Sequence, residues 1–489
     1  MLERKTAMIN NMIPSPKGQW GTGDLKAFSP AIYSKDFASQ VDTFVCQAKR
    51  AFGIDFAVSE ADADIVIYSA DYMCSGEYRL SVCDKVTIYT KDACGAAYAL
   101  SALLQITSIF EGKLMLPQVT IADKADCKYR GLLVDTARSF HPIAELKNYI
   151  DMCWLYKIKY LHIHFSDDES YTLPSDAFPL LPTENRCYTK EEIADLDSYA
   201  ASRNVQIIPE VDTPGHTTTI MKKYPEIFGK EGILCFHKEA IEGTKAIYRE
   251  VCSLFPNSEM IHIGGDEGRL GWWLGCDKCA EYGRSIGICM EDEAPGMSQP
   301  EWVMLRFLAH YIAENAKEVI AMGKTPIVWE GFHKATNNMI PKEVKVMVWD
   351  SSFQLAASLI ADGFEVINCS WLPTYVVTPL WVYSEKDCYN WDIRSFGTIN
   401  DGSPYKGGMM RLPESDKLIG GQLNSWGDFV EKTDYYETGA LGRADGLRTV
   451  ASRLPYIAEN TWNTDKRKSY DEVSDAAKYV SDLFFKMIK

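Results

Sequence analysis

The sequence predicts an α/β protein whose larger part is a parallel (β/α)8 TIM barrel, preceded by a smaller α/β domain. Three observations carry that expectation. From residue 129 onward, eight short apolar runs alternate with stretches of helical period over ~360 residues, the pattern of a closed parallel barrel more than of an open doubly wound sheet. Runs such as K-V-M-V-W at 345–349 are largely apolar and β-rich instead of alternating, as strands covered on both faces require. Acidic, histidine and tryptophan side chains collect just past the C-terminal ends of the runs, the end at which this fold builds its sites.

Residues 1–124 read as the smaller domain. Strands are expected at 63–68, 78–82 and 85–89, and a helix at 95–110, where Tyr98, Leu100, Leu103, Leu104 and Ile106 supply the apolar positions. No cluster of convergent polar groups stands out there, so its expected role is structural. Residues 125–489 are assigned to the barrel. Its strands are expected at 131–134, 158–164, 205–209, 259–263, 325–329, 344–349, 364–368 and 418–424, with helical period at 143–156, 190–203, 239–254 and 301–321.

The chain of 489 residues is 46% hydrophobic and 24% charged, the composition of an ordinary globular protein. A net charge of −16 supplies no basic field for counterion release, which argues against nucleic acid or an anionic membrane as partner and suits a neutral substrate. No 18-residue apolar run is present, and residues 1–18 lack the apolar core of a signal peptide. The 14 cysteines are scattered through apolar segments, the distribution of buried free thiols, so the expected location is the cytoplasm.

The strand ends carry the chemistry. The fourth run, E-M-I-H-I-G-G-D-E at 259–267, ends in two glycines where the backbone must turn closely, then in Asp266 and Glu267. The other ends supply Asp135 and Arg138; His164 and Asp167; Glu210, Asp212 and His216; Trp329 with Glu330; Trp349 with Asp350; Tyr375; and Trp426 with Asp428. Carboxylates, an arginine and several indoles, without a serine-nucleophile motif or a phosphate loop, suit a carbohydrate: indole faces pack on the C–H face of a pyranose, and carboxylates and guanidinium fork to hydroxyls. Glycoside hydrolysis needs a general acid, for which Glu267 is the candidate, its pKa expected to be raised by Asp266 and by partial burial. His216 is placed to hydrogen-bond Glu267, with Asp167 fixing its tautomer.

The motifs R-G-L-L-V-D-T-A-R-S-F at 130–140, H-F-S-D-D-E at 164–169, I-P-E-V-D-T-P-G-H at 208–216 and H-I-G-G-D-E at 262–267 resemble glycoside hydrolase family twenty, the β-N-acetylhexosaminidases. The likeness continues through P-I-V-W-E at 326–330, V-W-D at 348–350, I-N-C-S-W-L-P-T-Y at 367–375 and N-S-W-G-D at 424–428. It implies retaining, substrate-assisted hydrolysis of terminal N-acetylglucosamine or N-acetylgalactosamine. In that scheme the 2-acetamido oxygen is the nucleophile and an oxazolinium ion the intermediate, an exception to the two-carboxylate scheme. By the same resemblance Glu267 is acid and then base, Asp266 orients the acetamido N–H, and Tyr375 donates to the acetamido oxygen. Arg138 binds O3 and O4, Trp329, Trp349 and Trp426 wall the pocket, Asp428 reaches O4 or O6, and Asp167 with His216 tunes Glu267. No metal and no organic cofactor is implied. Arg130 is the weaker arginine of its motif.

Two departures from the commoner pattern stand out. Ser166-Asp167-Asp168-Glu169 replaces the frequent D-D-Q-G form, and Tyr375-Val376-Val377 replaces Tyr-Leu-Asp, which leaves gluco against galacto preference open. Trp272 and Trp273 are read either as an outer subsite or as loop anchors. Cys276 and Cys279 form one C-x-x-C, with too few ligands for zinc on its own, so a packed or redox-labile pair is expected. The rival functions are a lacto-N-biosidase-like relative that releases a disaccharide and a catalytically silent sugar-binding protein; against the latter stands the retention of the acid itself. A homodimer is one assembly open to the chain, and the natural glycan is not specified by the sequence.

Overall fold

The computed structural model describes residues 11–489 apart from 62, 291, 292, 295, 378–380, 398–408, 429–442, 466 and 467. Eight parallel strands form the expected barrel: β1 (Tyr129–Asp135), β2 (Tyr160–His164), β3 (Gln206–Thr213), β4 (Met260–Gly264), β5 (Thr325–Trp329), β6 (Lys345–Val348), β7 (Glu365–Asn368) and β8 (Leu418–Trp426). Each pairs with the next in sequence. The ring closes where β1 lies beside β8, with Tyr129 opposite Gly420 and Val134 opposite Ser425. All seven residues of β1 and all five of β4 are buried, as non-alternating strands between a filled interior and a coat of helices must be.

Helices Ile143–Leu155, Lys190–Ser202, Lys238–Leu254 and Gln299–Ala321 lie close to their expected bounds. Local chemistry sets their starts. Thr189 caps Lys190–Ser202 in a reciprocal capping box with Glu192, and Ser298 caps Gln299–Ala321 by accepting from the Glu301 N–H. One short strand, Tyr375–Val377, is inserted between β7 and β8 and lies parallel to the last residues of β8, with Tyr375 opposite Asn424. That pairing carries Tyr375 onto the barrel rim.

Ahead of the barrel lies a seven-stranded mixed sheet in the order Gly18–Trp20, Thr120–Asp123, Tyr78–Val82, Val86–Thr90, Ile65–Ser69, Ala31–Ser34, Ala57–Val58. The helix expected at 95–110 runs over Ala93–Ile106 and stops there. Thr107 takes extended backbone and returns its hydroxyl to the Leu103 carbonyl, and Ile109 and Phe110, both β-favouring, follow in strand Ser108–Phe110, paired with Lys113–Pro117 through a turn at Glu111 and Gly112. Helices Ala38–Phe52, Arg443–Trp462 and Tyr470–Met487 were not among the expected elements.

Twelve of the 14 residues of Ala93–Ile106 are buried, because the sheet covers one side and the barrel helix Ile143–Leu155 the other. Polar side chains tie this seam. Ser101 Oγ and Gln105 Nε2 donate to the Leu155 carbonyl at 2.7 and 2.8 Å, and Gln47 Nε2 donates to Asp151 at 2.7 Å. Lys157 Nζ, fully enclosed, lies 2.9 Å from the Tyr78 hydroxyl and 3.4 Å from Asp123, which also accepts from Trp462 Nε1 at 2.9 Å. Removing one member of such a pair would leave a buried charge and cost about 3–5 kcal/mol. Arg130 belongs to this base as well: it donates to the Lys157 and Cys127 carbonyls and packs on Tyr98 and Trp462, at the end of β1 remote from Asp135.

Candidate active site

β4 delivers Gly264, Gly265, Asp266 and Glu267 to the C-terminal rim of the barrel. Gly264 has φ +74°, and a Cβ there would lie 1.8 Å from Asp212 Oδ1, so glycine is what lets the β3 carboxylate approach the end of β4. Gly215 allows a second close approach; its Cβ would meet the Asp266 carbonyl at 2.6 Å. The result is a pocket lined by Arg138, His164, Asp212, His216, Asp266, Glu267, Trp329, Trp349, Trp371, Tyr375, Val377, Trp426 and Asp428. Nine of the ten expected site residues are in that lining, and the tenth, Asp167, lies directly behind His216.

A hydrogen-bonded chain crosses the floor. Glu267 Oε2 is 3.0 Å from His216 Nε2, whose Nδ1 is 3.3 Å from Asp167 Oδ1; Asp167 Oδ2 is 2.8 Å from His164 Nε2 and 2.6 Å from Arg138 Nη2. Burial alone would lower the pKa of His216, but its bonds to Asp167 and Glu267 win and hold it well above the usual imidazole range. Burial likewise opposes ionisation of Asp167, and Arg138, His164 and His216 overcome it, keeping that carboxylate well below its usual value.

The two acids of the motif diverge. Glu267, half-exposed, is held below the usual carboxylate range by the His216 hydrogen bond, which outweighs its burial. This corrects the expectation that Asp266 and burial would raise it. The raised carboxyl is Asp266, pushed well up by burial and then by Asp212, itself pushed up to about 8 by burial. Among the described residues, Asp266 Oδ1 is buried with no hydrogen-bond partner, on a residue that lines the pocket. Tyr375, kept a neutral phenol by burial, lies across the same pocket, stacked on Trp371 at 4.8 Å and 14°.

The indole walls are fixed from behind. Trp329 Nε1 donates to Glu210 at 2.5 Å, and Trp349 Nε1 to the Glu330 carbonyl at 2.9 Å. Glu210 is gripped in turn by His164 Nδ1 at 2.5 Å and His262 Nδ1 at 2.9 Å. Trp426 lies under Arg138, the guanidinium carbon 5.3 Å from a ring centre. Asp135 orients that arginine, accepting from its backbone N–H at 2.9 Å and its Nη1 at 3.0 Å, while Asp428 and Glu169 lie 3.9 and 4.0 Å from Nε. Val377 lines the pocket where the commoner motif has an acid.

Asp212, His164 and Trp371 line the pocket without having been assigned roles from sequence. The signal for Trp371 was its place four residues before Tyr375 in W-L-P-T-Y. Of the tandem tryptophans, Trp273 is the anchor, buried with Nε1 donating to the Leu234 carbonyl at 2.8 Å, whereas Trp272 is half-exposed beside a separate cavity with Arg269, Cys235 and Cys276. The C-x-x-C pair is not alone: Cys235 folds onto it.

Comparison with known proteins agrees with this geometry. A family model described as glycosyl hydrolase family 20, catalytic domain, matches residues 127–464. The chain is 27% identical over 413 residues to a beta-hexosaminidase of Vibrio furnissii, spanning 76% of this chain and 64% of that one. It is 30% identical over 265 residues to a beta-hexosaminidase of Akkermansia muciniphila, 48% and 51% of the respective lengths. The chain thus spans under two thirds of the length of either relative. A Vibrio harveyi GH20 exo beta-N-acetylglucosaminidase solved with N-acetylglucosamine superposes with a TM-score of 0.78 at 20% identity, over 97% of this chain and 77% of that one, a likeness of fold.

Proposed function

Because the chain belongs to glycosyl hydrolase family 20, we propose that it is a retaining exo-β-N-acetylhexosaminidase, releasing terminal β-linked N-acetylglucosamine or N-acetylgalactosamine with the substrate's own acetamido oxygen as nucleophile. The observation that carries this reading is the meeting of a buried, unpartnered Asp266 Oδ1, the Tyr375 phenol and Glu267 in one indole-lined pocket. Asp266 accepts the acetamido N–H. Tyr375 donates to the acetamido oxygen, which curls under C1. Arg138 and Asp428 take the hydroxyls at O3, O4 and O6, and Trp329, Trp349 and Trp426 shape the wall around the methyl and the ring.

The proton's route follows from the floor of the site. In the resting protein His216 carries the proton and Glu267 is ionised. A docked sugar displaces water from Glu267 and raises its pKa, and the proton crosses the 3.0 Å from His216 Nε2 to Glu267 Oε2, with Asp167 holding the other ring N–H. Glu267 protonates the departing oxygen as the C1–O bond breaks and the acetamido oxygen bonds to C1. The positive charge that develops on the oxazolinium nitrogen lies against Asp266 and offsets the burial that holds its pKa up, favouring the carboxylate form that meets it. Ionised Glu267 then takes a proton from water, which attacks C1 and restores the acetamide. Two inversions at C1 give net retention.

With Val377 in place of an acid, O4 is left to Arg138 and Asp428, so both epimers are expected to be accepted. The scatter of the 14 cysteines through the chain, with no disulfide among the described residues, supports a reducing compartment, the cytoplasm. The test is a panel of aryl glycosides: β-N-acetylglucosaminide and β-N-acetylgalactosaminide cleaved, the matching β-glucoside left intact, and a monosaccharide as sole released product from defined oligosaccharides. Equal rates on the glucoside, or release of a disaccharide, would overturn the reading.

A further inference from the structure

The segment that follows Glu267 carries a second cluster remote from the proton chain. Cys276 occupies the N-cap position of helix Asp277–Ser285 and Cys279 sits in its first turn, buried; Cys235, from the loop before helix Lys238–Leu254, completes a triangle of sulfurs all within 4.8 Å of one another. Tetrahedral zinc with Zn–S bonds of ~2.3 Å needs sulfur–sulfur edges of ~3.8 Å, which small side-chain rotations reach from here. The Phe236 backbone N–H already points at Cys279 Sγ, 3.2 Å away, the hydrogen bond that stabilises a thiolate over a thiol. Beside Cys235 lies His237, whose Nδ1 accepts from the Ala240 N–H at 3.3 Å and lies 3.0 Å from Glu239 Oε2, the carboxylate that would take the ring proton once the other nitrogen bound a metal. A carboxylate on one ring nitrogen commonly orients an imidazole whose other nitrogen binds a metal.

We propose that Cys235, Cys276 and Cys279, which the fold already brings together, bind one structural zinc ion, with His237 turning in from beside Cys235 as the fourth ligand. The family resemblance assigns the chain no metal, and the pocket chemistry does not call for one. Four protein ligands close the site to water, so its role is to staple the loop after Glu267, with Trp273 clamped inside it and Trp272 displayed at its edge, to the segment before helix Lys238–Leu254. The competing fate of three convergent thiols is a disulfide between two of them.

The experiment measures metal content and thiol state of the full chain purified under reducing conditions. One zinc per chain is expected. Cobalt(II) exchanged into the chelated protein should give thiolate charge-transfer absorption and tetrahedral d–d bands at one equivalent. Cys276→Ser and Cys279→Ser should lose the metal, and Cys46→Ser, at an exposed position outside the cluster, should keep it. If the cluster variants do not fold, thiol titration of the unaltered protein decides: three thiols should be shielded when cobalt is bound and react when it is removed. A reduced protein that neither contains zinc nor takes up cobalt, a cluster variant that keeps its metal, or an intact mass lower by two hydrogen atoms from a disulfide would overturn the assignment.

Discussion

Glu267→Gln is expected to lower turnover on substrates with poorly departing aglycones by about 10²–10⁴-fold, the usual worth of a positioned acid–base group. The amide keeps the shape of the side chain but cannot hand a proton to the leaving oxygen. With a dinitrophenyl leaving group, which departs without protonation, formation of the oxazolinium should survive and its hydrolysis should become the slow step, seen as a burst of phenolate followed by slow release. The resting site explains why the residue depends on its partner: Glu267 is ionised beside a protonated His216, so the acid is loaded only when substrate excludes water. Near-wild-type turnover on alkyl glycosides would remove Glu267 from its role.

Asp266→Asn carries the second large effect, in two directions. Activity should fall by about 10²–10³-fold, because the charge facing the developing oxazolinium is lost while its shape is kept. Stability should rise. Burial and Asp212 push the folded pKa of Asp266 well above its ordinary 3.8, so its favourable contribution is full below that value and is lost as pH rises through the folded pKa. Asparagine does not ionise, so the variant's thermal midpoint should match the native one near pH 4 and exceed it increasingly toward neutral pH. A protein strains its own core here to hold a charge that the reaction uses. Thermal melts over that pH range check the claim, and a variant that is less stable at neutral pH than at acidic pH relative to the native protein would contradict it.

Much of the barrel was legible because its strands are read by composition. β-rich apolar runs between helical stretches place themselves, and a site at the C-terminal rim can be assembled from strand ends without knowing the packing. What sequence did not yield depends on proximity across the fold. Asp266 and Glu267 are adjacent in the chain, so Asp266 was expected to raise Glu267; the expected His216–Glu267 hydrogen bond is present and outweighs that effect, while Asp266 is buried beside Asp212, a neighbour that spacing does not reveal. Cys235 could not be joined to the C-x-x-C by spacing, since a whole helix and β4 intervene. Trp371 was hidden for a similar reason: its ring enters the pocket because a short added strand stacks Tyr375 against it. Glu169, at a departure from the commoner motif, proves to neighbour Arg138, a charge that no single motif would predict.

We propose that the nucleophile belongs to the substrate, with Tyr375 and Asp266 aiming it and Asp266 meeting the charge that develops. It is tested most directly with aryl β-glucosaminides carrying N-acetyl, N-fluoroacetyl, N-difluoroacetyl and N-trifluoroacetyl groups. Fluorine withdraws density from the amide oxygen with little change in size. kcat/KM should fall steeply and monotonically along the series; a flat series would place the nucleophile in the protein.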